Sequence, residues 1–223
     1  MSAGVQRMFG AIAPTYDALN RVLSLGVDQS WRRRAVAALG DVRERRVLDV
    51  CAGTLDLTAL AMRAGARVTA ADFSPEMLQR GAHKAGGARL VVADAQALPF
   101  SDGEFDGALC GFGLRNLDDP ARGLAEARRV LAPGGRLVVL DFFRPRRAIT
   151  RVVQALYNRR VMPLVGGLVS GDRGAYCYLA ESIDRFATRE QVEQLARDAG
   201  FARVRGVDLT AGVAALVIAE VSP

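Results

Sequence analysis

The run Val47-Leu48-Asp49-Val50-Cys51-Ala52-Gly53-Thr54-Leu55-Asp56-Leu57-Thr58 narrows the folds open to this chain more than any other stretch. A β-branched apolar segment ends in small residues and passes into a helical pattern over 57–64, which is how a parallel strand hands over to its crossover helix. Asp72 closes the next apolar run, 68–71, about 20 residues further on, the spacing at which an acidic side chain reaches ribose hydroxyls. Open α/β sheets bind ligands outside the carboxyl ends of their strands. The pattern predicts a nucleoside site in a doubly wound sheet.

Gly53 alone stands where a dinucleotide fingerprint would place three glycines, and the carboxylates Asp49 and Asp56 flank the turn. Two negative charges beside the turn suit a cationic ligand better than a pyrophosphate. S-adenosylmethionine, with its sulfonium and ammonium, is therefore expected in preference to a nicotinamide dinucleotide.

The chain has 223 residues, half of them apolar, enough for one well-buried core. A net charge of +6 admits an anionic surface or a nucleic acid as partner, but no interleaved basic and aromatic strand platform supports nucleic-acid binding. Cys51, Cys110 and Cys177 show no C-x-x-C spacing, and His83 is the only histidine, so neither a metal site nor a Ser-His-Asp triad is expected. No apolar signal core or spanning segment is evident, which points to a cytoplasmic protein.

Short helices broken by Pro14 and Gly26 are expected to cover one mouth of the sheet. Asp28 is expected to cap a helix carrying Trp31, Val36 and Leu39, with Arg32, Arg33 and Arg34 on a solvated face. Ser74-Pro75 should cap a helix reaching about Lys84. A strand over 90–93 ends in Asp94-Ala95, whose carboxylate and amide match an adenine amino group and ring nitrogen. A strand over 105–110 leads into Gly111-Phe112-Gly113-Leu114-Arg115-Asn116. A helix over 121–131, stopped by Pro133-Gly134-Gly135, precedes a strand over 137–140 buried on both faces.

From 144 to 186 the character changes. Ile149, Val152, Val153, Leu156 and Tyr157 recur at helical spacing among Arg146, Arg147, Arg151, Arg159 and Arg160, and an apolar stretch runs over 163–169. Such a segment suits either a lid over the cleft or a helix lying in a membrane interface, making a peripheral contact through 146–169. Thr188 to Gln191 should cap a helix ending at Gly200, and strands over 204–209 and 213–221 should form a hairpin across Thr210-Ala211-Gly212.

The pieces Phe9-Gly10, Tyr16-Asp17, Asn20, Ala97-Leu98-Pro99-Phe100, Phe112-Gly113-Leu114-Arg115-Asn116, Tyr178-Leu179-Ala180-Glu181-Ser182-Ile183 and Leu209-Thr210-Ala211-Gly212-Val213 give the chain its closest likeness. With them it resembles the ubiquinone/menaquinone biosynthesis C-methyltransferases from about residue 8 to about residue 215. The resemblance implies an α/β, Rossmann-like S-adenosylmethionine-dependent methyltransferase fold: a mostly parallel seven-stranded sheet with a C-terminal antiparallel hairpin and a helical lid. It implies one domain over 1–223, with an N-terminal helical cap at 1–40 and an acceptor-binding insertion at 144–186.

By the same resemblance, Asp49, Gly53, Thr54, Thr58, Asp72, Asp94, Ala95 and Gly111 line the cofactor site. Two positions depart from the family pattern: Leu55 stands where the loop usually has glycine, and Gly111 where serine is common. A side chain at 55 either crowds the ligand or, if φ is positive there, imposes another conformation.

The implied reaction is carbon methylation of a prenylated quinol, most simply demethylmenaquinol. Arg115 would stabilise a developing quinolate or polarise a water that Asn116 orients, and Tyr16, Asp17, Tyr176 and Tyr178 would contact the ring. A benzoquinol or another small acceptor, a catalytically impaired scaffold, and the oligomeric state all stay open at this point.

Overall fold

The computed structural model describes residues 16–144 and 181–223, together with Gly4, Gly10 and Ala13. Tyr176, Tyr178, Cys177 and the whole 146–169 segment lie outside the described residues.

Two helices, α1 (Tyr16–Leu23) and α2 (Val27–Ala38), precede β1 (Arg46–Val50), α3 (Asp56–Arg63), β2 (Arg67–Asp72), α4 (Pro75–Gly81) and β3 (Arg89–Val92). Then follow β4 (Phe105–Gly111), α5 (Pro120–Arg129), β5 (Leu131–Asp141), α6 (Arg189–Asp198), β6 (Arg203–Leu209) and β7 (Ala214–Glu220). The seven strands form one sheet in the order β3-β2-β1-β4-β5-β7-β6. The pairs from β3 to β5 are parallel, and β7 runs antiparallel to both β5 and β6. The order reverses beside β1, so the carboxyl ends of β1 and β4 bound a topological switch point.

Alternation along each strand divides the core between the two faces. Leu48, Val50, Leu137 and Val139 pack with Leu124 and Ala127 of α5 and with Val192 and Ala196 of α6. Val47, Leu109, Val138 and Leu140 pack with Trp31, Ala35 and Val36 of α2 and with Leu57 and Ala61 of α3. The unbroken apolar run of β5 is thus buried on both sides, as its composition predicts. The caps also form as expected: Ser74 accepts from Met77, and Thr188 with Gln191 makes a reciprocal capping box at α6.

Three local expectations are corrected. Asp28 is not an N-cap; α2 begins at Val27 after Gly26 in the left-handed region, and Asp28 is buried in the first turn beside Arg32 at 3.3 Å. Arg32 leaves the solvated face that Arg33 and Arg34 do occupy. Helix α5 stops at Arg129, and Pro133-Gly134-Gly135 lies within β5, where register slips between Phe105 opposite Leu131 and Gly107 opposite Arg136. An irregularity of this kind tolerates a proline that a central ladder position would reject.

Candidate active site

At the end of β1 the backbone takes three left-handed steps, Cys51 (φ 54°), Gly53 (φ 54°) and Leu55 (φ 66°), before α3 starts. The Ala52 amide donates to the Ala71 carbonyl at 3.1 Å, which ties the turn to β2. Asp72, the last residue of β2, accepts from the Gly53 amide through Oδ2 and from the Ser74 amide through Oδ1, both at 2.9 Å. Its carboxylate is therefore fixed between two turns. Burial raises its pKa, and the amides of Ser74 and Gly53 oppose that rise.

A shallow, open crevice lies where β1, β2 and β4 end, lined by Tyr16, Cys51, Gly53, Asp72, Phe73, Met77, Gly111, Phe112, Gly113 and Asn116. Of the residues expected from sequence, Tyr16, Gly53, Asp72, Gly111 and Asn116 meet there. Cys51, Phe73, Met77, Phe112 and Gly113 were not anticipated. The Gly-Phe-Gly pattern was the available signal for the last two: Phe112 sits at φ 58°, and a Cβ on Gly113 would come within 2.3 Å of Cys51 Cβ. A Cβ on Gly111 would meet Leu57 Cδ1 at 2.4 Å, so Leu57 occupies the space that a serine would need.

Asp49 lies beneath the turn, outside the crevice lining. It is fully buried; Oδ2 accepts from Thr58 Oγ1 at 2.6 Å, and Oδ1 has no hydrogen-bond partner among the described residues. Burial pushes its pKa up to about 7, against the pull of Thr58 and Arg32. A buried carboxylate with one open oxygen next to the turn fits a cationic nucleoside, as does a wall of glycines that lets the ligand approach the backbone.

Asp56 was expected to share in holding that cation, and its charge is instead engaged within the protein. Lys84 Nζ meets Asp56 at 2.7 Å and also pairs with Asp17, while Arg32 approaches Asp56 at 3.8 Å. Thr54 Oγ1 donates to Asp17 at 2.5 Å. The chain's only lysine thus fastens α1 to the start of α3, and Asp17 and Thr54 belong to that fastening.

Leu55, the departure from glycine, does not line the crevice. It adopts the left-handed conformation, and its side chain is fully buried among Ala59, Ala70, Leu78 and Ala85. At the end of β3, Asp94 accepts from the backbone amide and side chain of Gln96; these bonds outweigh partial burial and hold its pKa low. Ala95 is buried beside it.

Arg115 turns away from the crevice. Its Nη1 donates to Asp141 Oδ1 at 2.6 Å and to the Phe112 carbonyl at 2.7 Å, with the guanidinium 5.7 Å from the centre of the Phe142 ring. Asn116 Nδ2 donates to the same Phe112 carbonyl at 3.2 Å. Phe112 in turn packs 4.9 Å from Phe142 and 6.5 Å from Trp31, with Arg32 over its face at 5.1 Å. The wall of the crevice is therefore held from behind by aromatic rings and two buried arginines.

Comparison with known proteins agrees with this geometry. The demethylmenaquinone methyltransferase of Deinococcus radiodurans is 46% identical over 223 residues, covering 97% of this chain and 92% of that protein. The demethylmenaquinone methyltransferase of Thermus thermophilus is 48% identical over 219 residues, covering 96% and 99%. A crystal structure from Thermotoga maritima, described as an S-adenosylmethionine-dependent methyltransferase and possible histamine N-methyltransferase, matches with a TM-score of 0.70 at 21% identity, covering 96% of this chain and 98% of that one. At that identity the likeness establishes the Rossmann-like methyltransferase fold alone. The model of the ubiE/COQ5 methyltransferase family matches residues 1–220. The chain belongs to the ubiE/COQ5 methyltransferase family.

Proposed function

We propose that this protein is an S-adenosylmethionine-dependent C-methyltransferase of quinone biosynthesis that methylates the ring of a prenylated quinol, demethylmenaquinol, to give menaquinol. The observation that carries this reading is near-full-length identity of 46% and 48% to two proteins named demethylmenaquinone methyltransferase. The crevice supports it chemically, because an acidic strand end, a glycine wall and a buried carboxylate with an open oxygen suit a cationic adenosyl donor.

S-adenosylmethionine, when bound, supplies an electrophilic methyl on a sulfonium. Asp72 keeps lone pairs for ribose hydroxyls while the Gly53 and Ser74 amides hold its orientation. Asp94 and Ala95 flank the adenine, and Asp49 offsets the donor's positive charge from beneath the turn. Thr58 holds Asp49, Thr54 holds Asp17, and Gly111 leaves room beside Leu57. Tyr16 and Asn116 present polar groups to the acceptor's hydroxyls, and the apolar wall at Phe112 and Met77 excludes water from the reacting carbons. Arg115, paired with Asp141, acts by position: it fixes the Phe112 carbonyl, and through it the segment bearing Asn116. The chain works as a single domain. Its 144–186 segment, with Tyr176 and Tyr178, selects the acceptor, and the protein works at the cytoplasmic face of a membrane.

The test is incubation with methyl-labelled donor and, side by side, a reduced prenylated naphthoquinol and the matching benzoquinol. Label in the naphthoquinol ring is the expected result. Transfer only to the benzoquinol would overturn the acceptor, and transfer to neither, with donor binding absent by calorimetry, would leave a scaffold.

A further inference from the structure

The corner between α1 and α2 is built unlike the rest of the described surface. Leu25 is 89% exposed, Val22 48% and Val27 37%, forming three of the five exposed large apolar side chains among the described residues. Leu25 also holds a left-handed backbone, φ 51°, without burying its side chain in return. A non-glycine residue in that region is strained, and here no core packing offsets the strain. Backbone hydrogen bonds close the corner: Gly26 donates to Arg21 at 2.8 Å and Val27 to Ser24 at 3.0 Å. The apolar tip is thus a formed feature of the fold.

Along this stretch, from just after Asp17 to just before Asp41, the outward charge is positive. Between residues 18 and 40 the only acidic side chain is Asp28. It is buried, and it accepts from Ser24, Gln29 and Arg32, so it presents no carboxylate outward. Arg21 is exposed beside the tip, and Arg33 and Arg34 are exposed further along α2. At 1.5 Å per residue these two stand about 9 and 10.5 Å from Val27 along the helix axis. An exposed apolar tip with arginines on the helices that lead into and out of it has the composition of an interfacial membrane anchor.

We infer that the α1–α2 corner, with Val22, Leu25 and Val27 inserted and Arg21, Arg33 and Arg34 at the headgroups, docks the protein on an anionic phospholipid bilayer. The inference rests on the proposed prenylated acceptor, whose tail lies in the bilayer. Tyr16, six residues before Val22 on the same helix, lines the crevice, so the corner brings the membrane within about 10 Å of the crevice wall measured along α1. A second copy of the chain is the competing occupant, but the cluster of uncompensated arginines would repel its own image across a two-fold contact.

The experiment is co-sedimentation of the full chain with vesicles of phosphatidylcholine and phosphatidylglycerol in equal parts, against phosphatidylcholine alone. Binding to the mixed vesicles only, weakened by added salt, is expected. Leu25→Glu and the pair Arg33→Glu, Arg34→Glu should each weaken it by about tenfold or more, with thermal unfolding unchanged because all three positions are exposed. Methyl transfer to a short-chain, water-soluble naphthoquinol should be the same in both variants and the parent, so loss of that activity in the parent would strike the proposed reaction and leave the vesicle result standing. Absence of vesicle binding, equal binding by Leu25→Glu, or dissociation of a dimer by Leu25→Glu with vesicle binding intact would each overturn the inference.

Discussion

The Arg115 guanidinium and the Asp141 carboxylate meet at 2.6 Å in the interior, their side chains only 4% and 0% exposed. Asp141 also accepts from the Phe142 amide at 2.8 Å, and Arg115 reaches the Phe112 carbonyl. The pair therefore links the end of β5 to the turn that walls the crevice.

Removing one partner of a buried pair strands the other charge, so Arg115→Met should lower unfolding stability by about 3–5 kcal/mol, read by urea denaturation. The double variant Arg115→Met, Asp141→Leu should recover most of that loss. If Arg115 acts by position, the double variant keeps a low kcat despite restored stability, because the Phe112 carbonyl has lost its Arg115 donor and keeps only that of Asn116. Full recovery of turnover would remove this role.

Leu55 carries a glycine-type backbone and a core side chain at once. Leu55→Gly relieves about 1 kcal/mol of left-handed strain but removes a fully buried leucine, a loss of about 2–5 kcal/mol. The net expectation is a destabilised protein whose affinity for S-adenosylmethionine changes by less than about threefold, since the side chain faces away from the crevice. Chemical denaturation and calorimetry on the same sample separate the two effects.

The close approaches of Gly111 and Gly113 differ in kind. A Cβ at Gly111 meets the movable end of Leu57, so Gly111→Ser should be only moderately destabilising, about 1–3 kcal/mol, and rescued in part by Leu57→Ala. A Cβ at Gly113 meets Cys51 at its Cβ, an atom that side-chain rotation cannot move. Gly113→Ala should therefore lower the melting temperature more than Gly111→Ser.

Asp49 gives the pH dependence. Its folded pKa, raised by burial to about 7, exceeds that of an unfolded aspartate near ~3.9. The folded state thus holds a proton that the unfolded chain has released, so this group's contribution to stability is complete below about pH 4 and is lost as pH rises to about 7. Asp72 and Asp141 are shifted in the same direction. Asp49→Asn should flatten the decline in stability between about pH 4 and about pH 7. Cationic donor binding favours the ionised carboxylate, so affinity should increase across the same interval in the parent and less in Asp49→Asn.

Features set by neighbours in sequence were legible. The β1 turn, Asp72 at the end of β2, the Thr188 capping box and the C-terminal hairpin each follow from local propensity and spacing. Contacts between charges far apart in the chain were not. Lys84 meets Asp56 across 28 residues and Arg115 meets Asp141 across 26. Nothing local distinguishes such arginines and carboxylates from solvated ones, so Arg32 was given to solvent and Asp56 to ligand, whereas Arg32 pairs with Asp28 and Asp56 with Lys84. The long β5 was hidden because Pro133-Gly134-Gly135 reads as a breaker unless the irregular pairing with β4 is known.

The central claim is that the crevice edged by Gly53 and Asp72 holds the adenosyl donor. Titration calorimetry of S-adenosylmethionine into the parent and into Asp72→Ala tests it most directly, with the folding of both samples verified by circular dichroism. One-to-one binding to the parent, weakened about tenfold or more in the variant, is the expected result, since a charged hydrogen bond is worth about 1.5–3 kcal/mol. Equal affinity in the two proteins, or no heat with a folded parent, would contradict it.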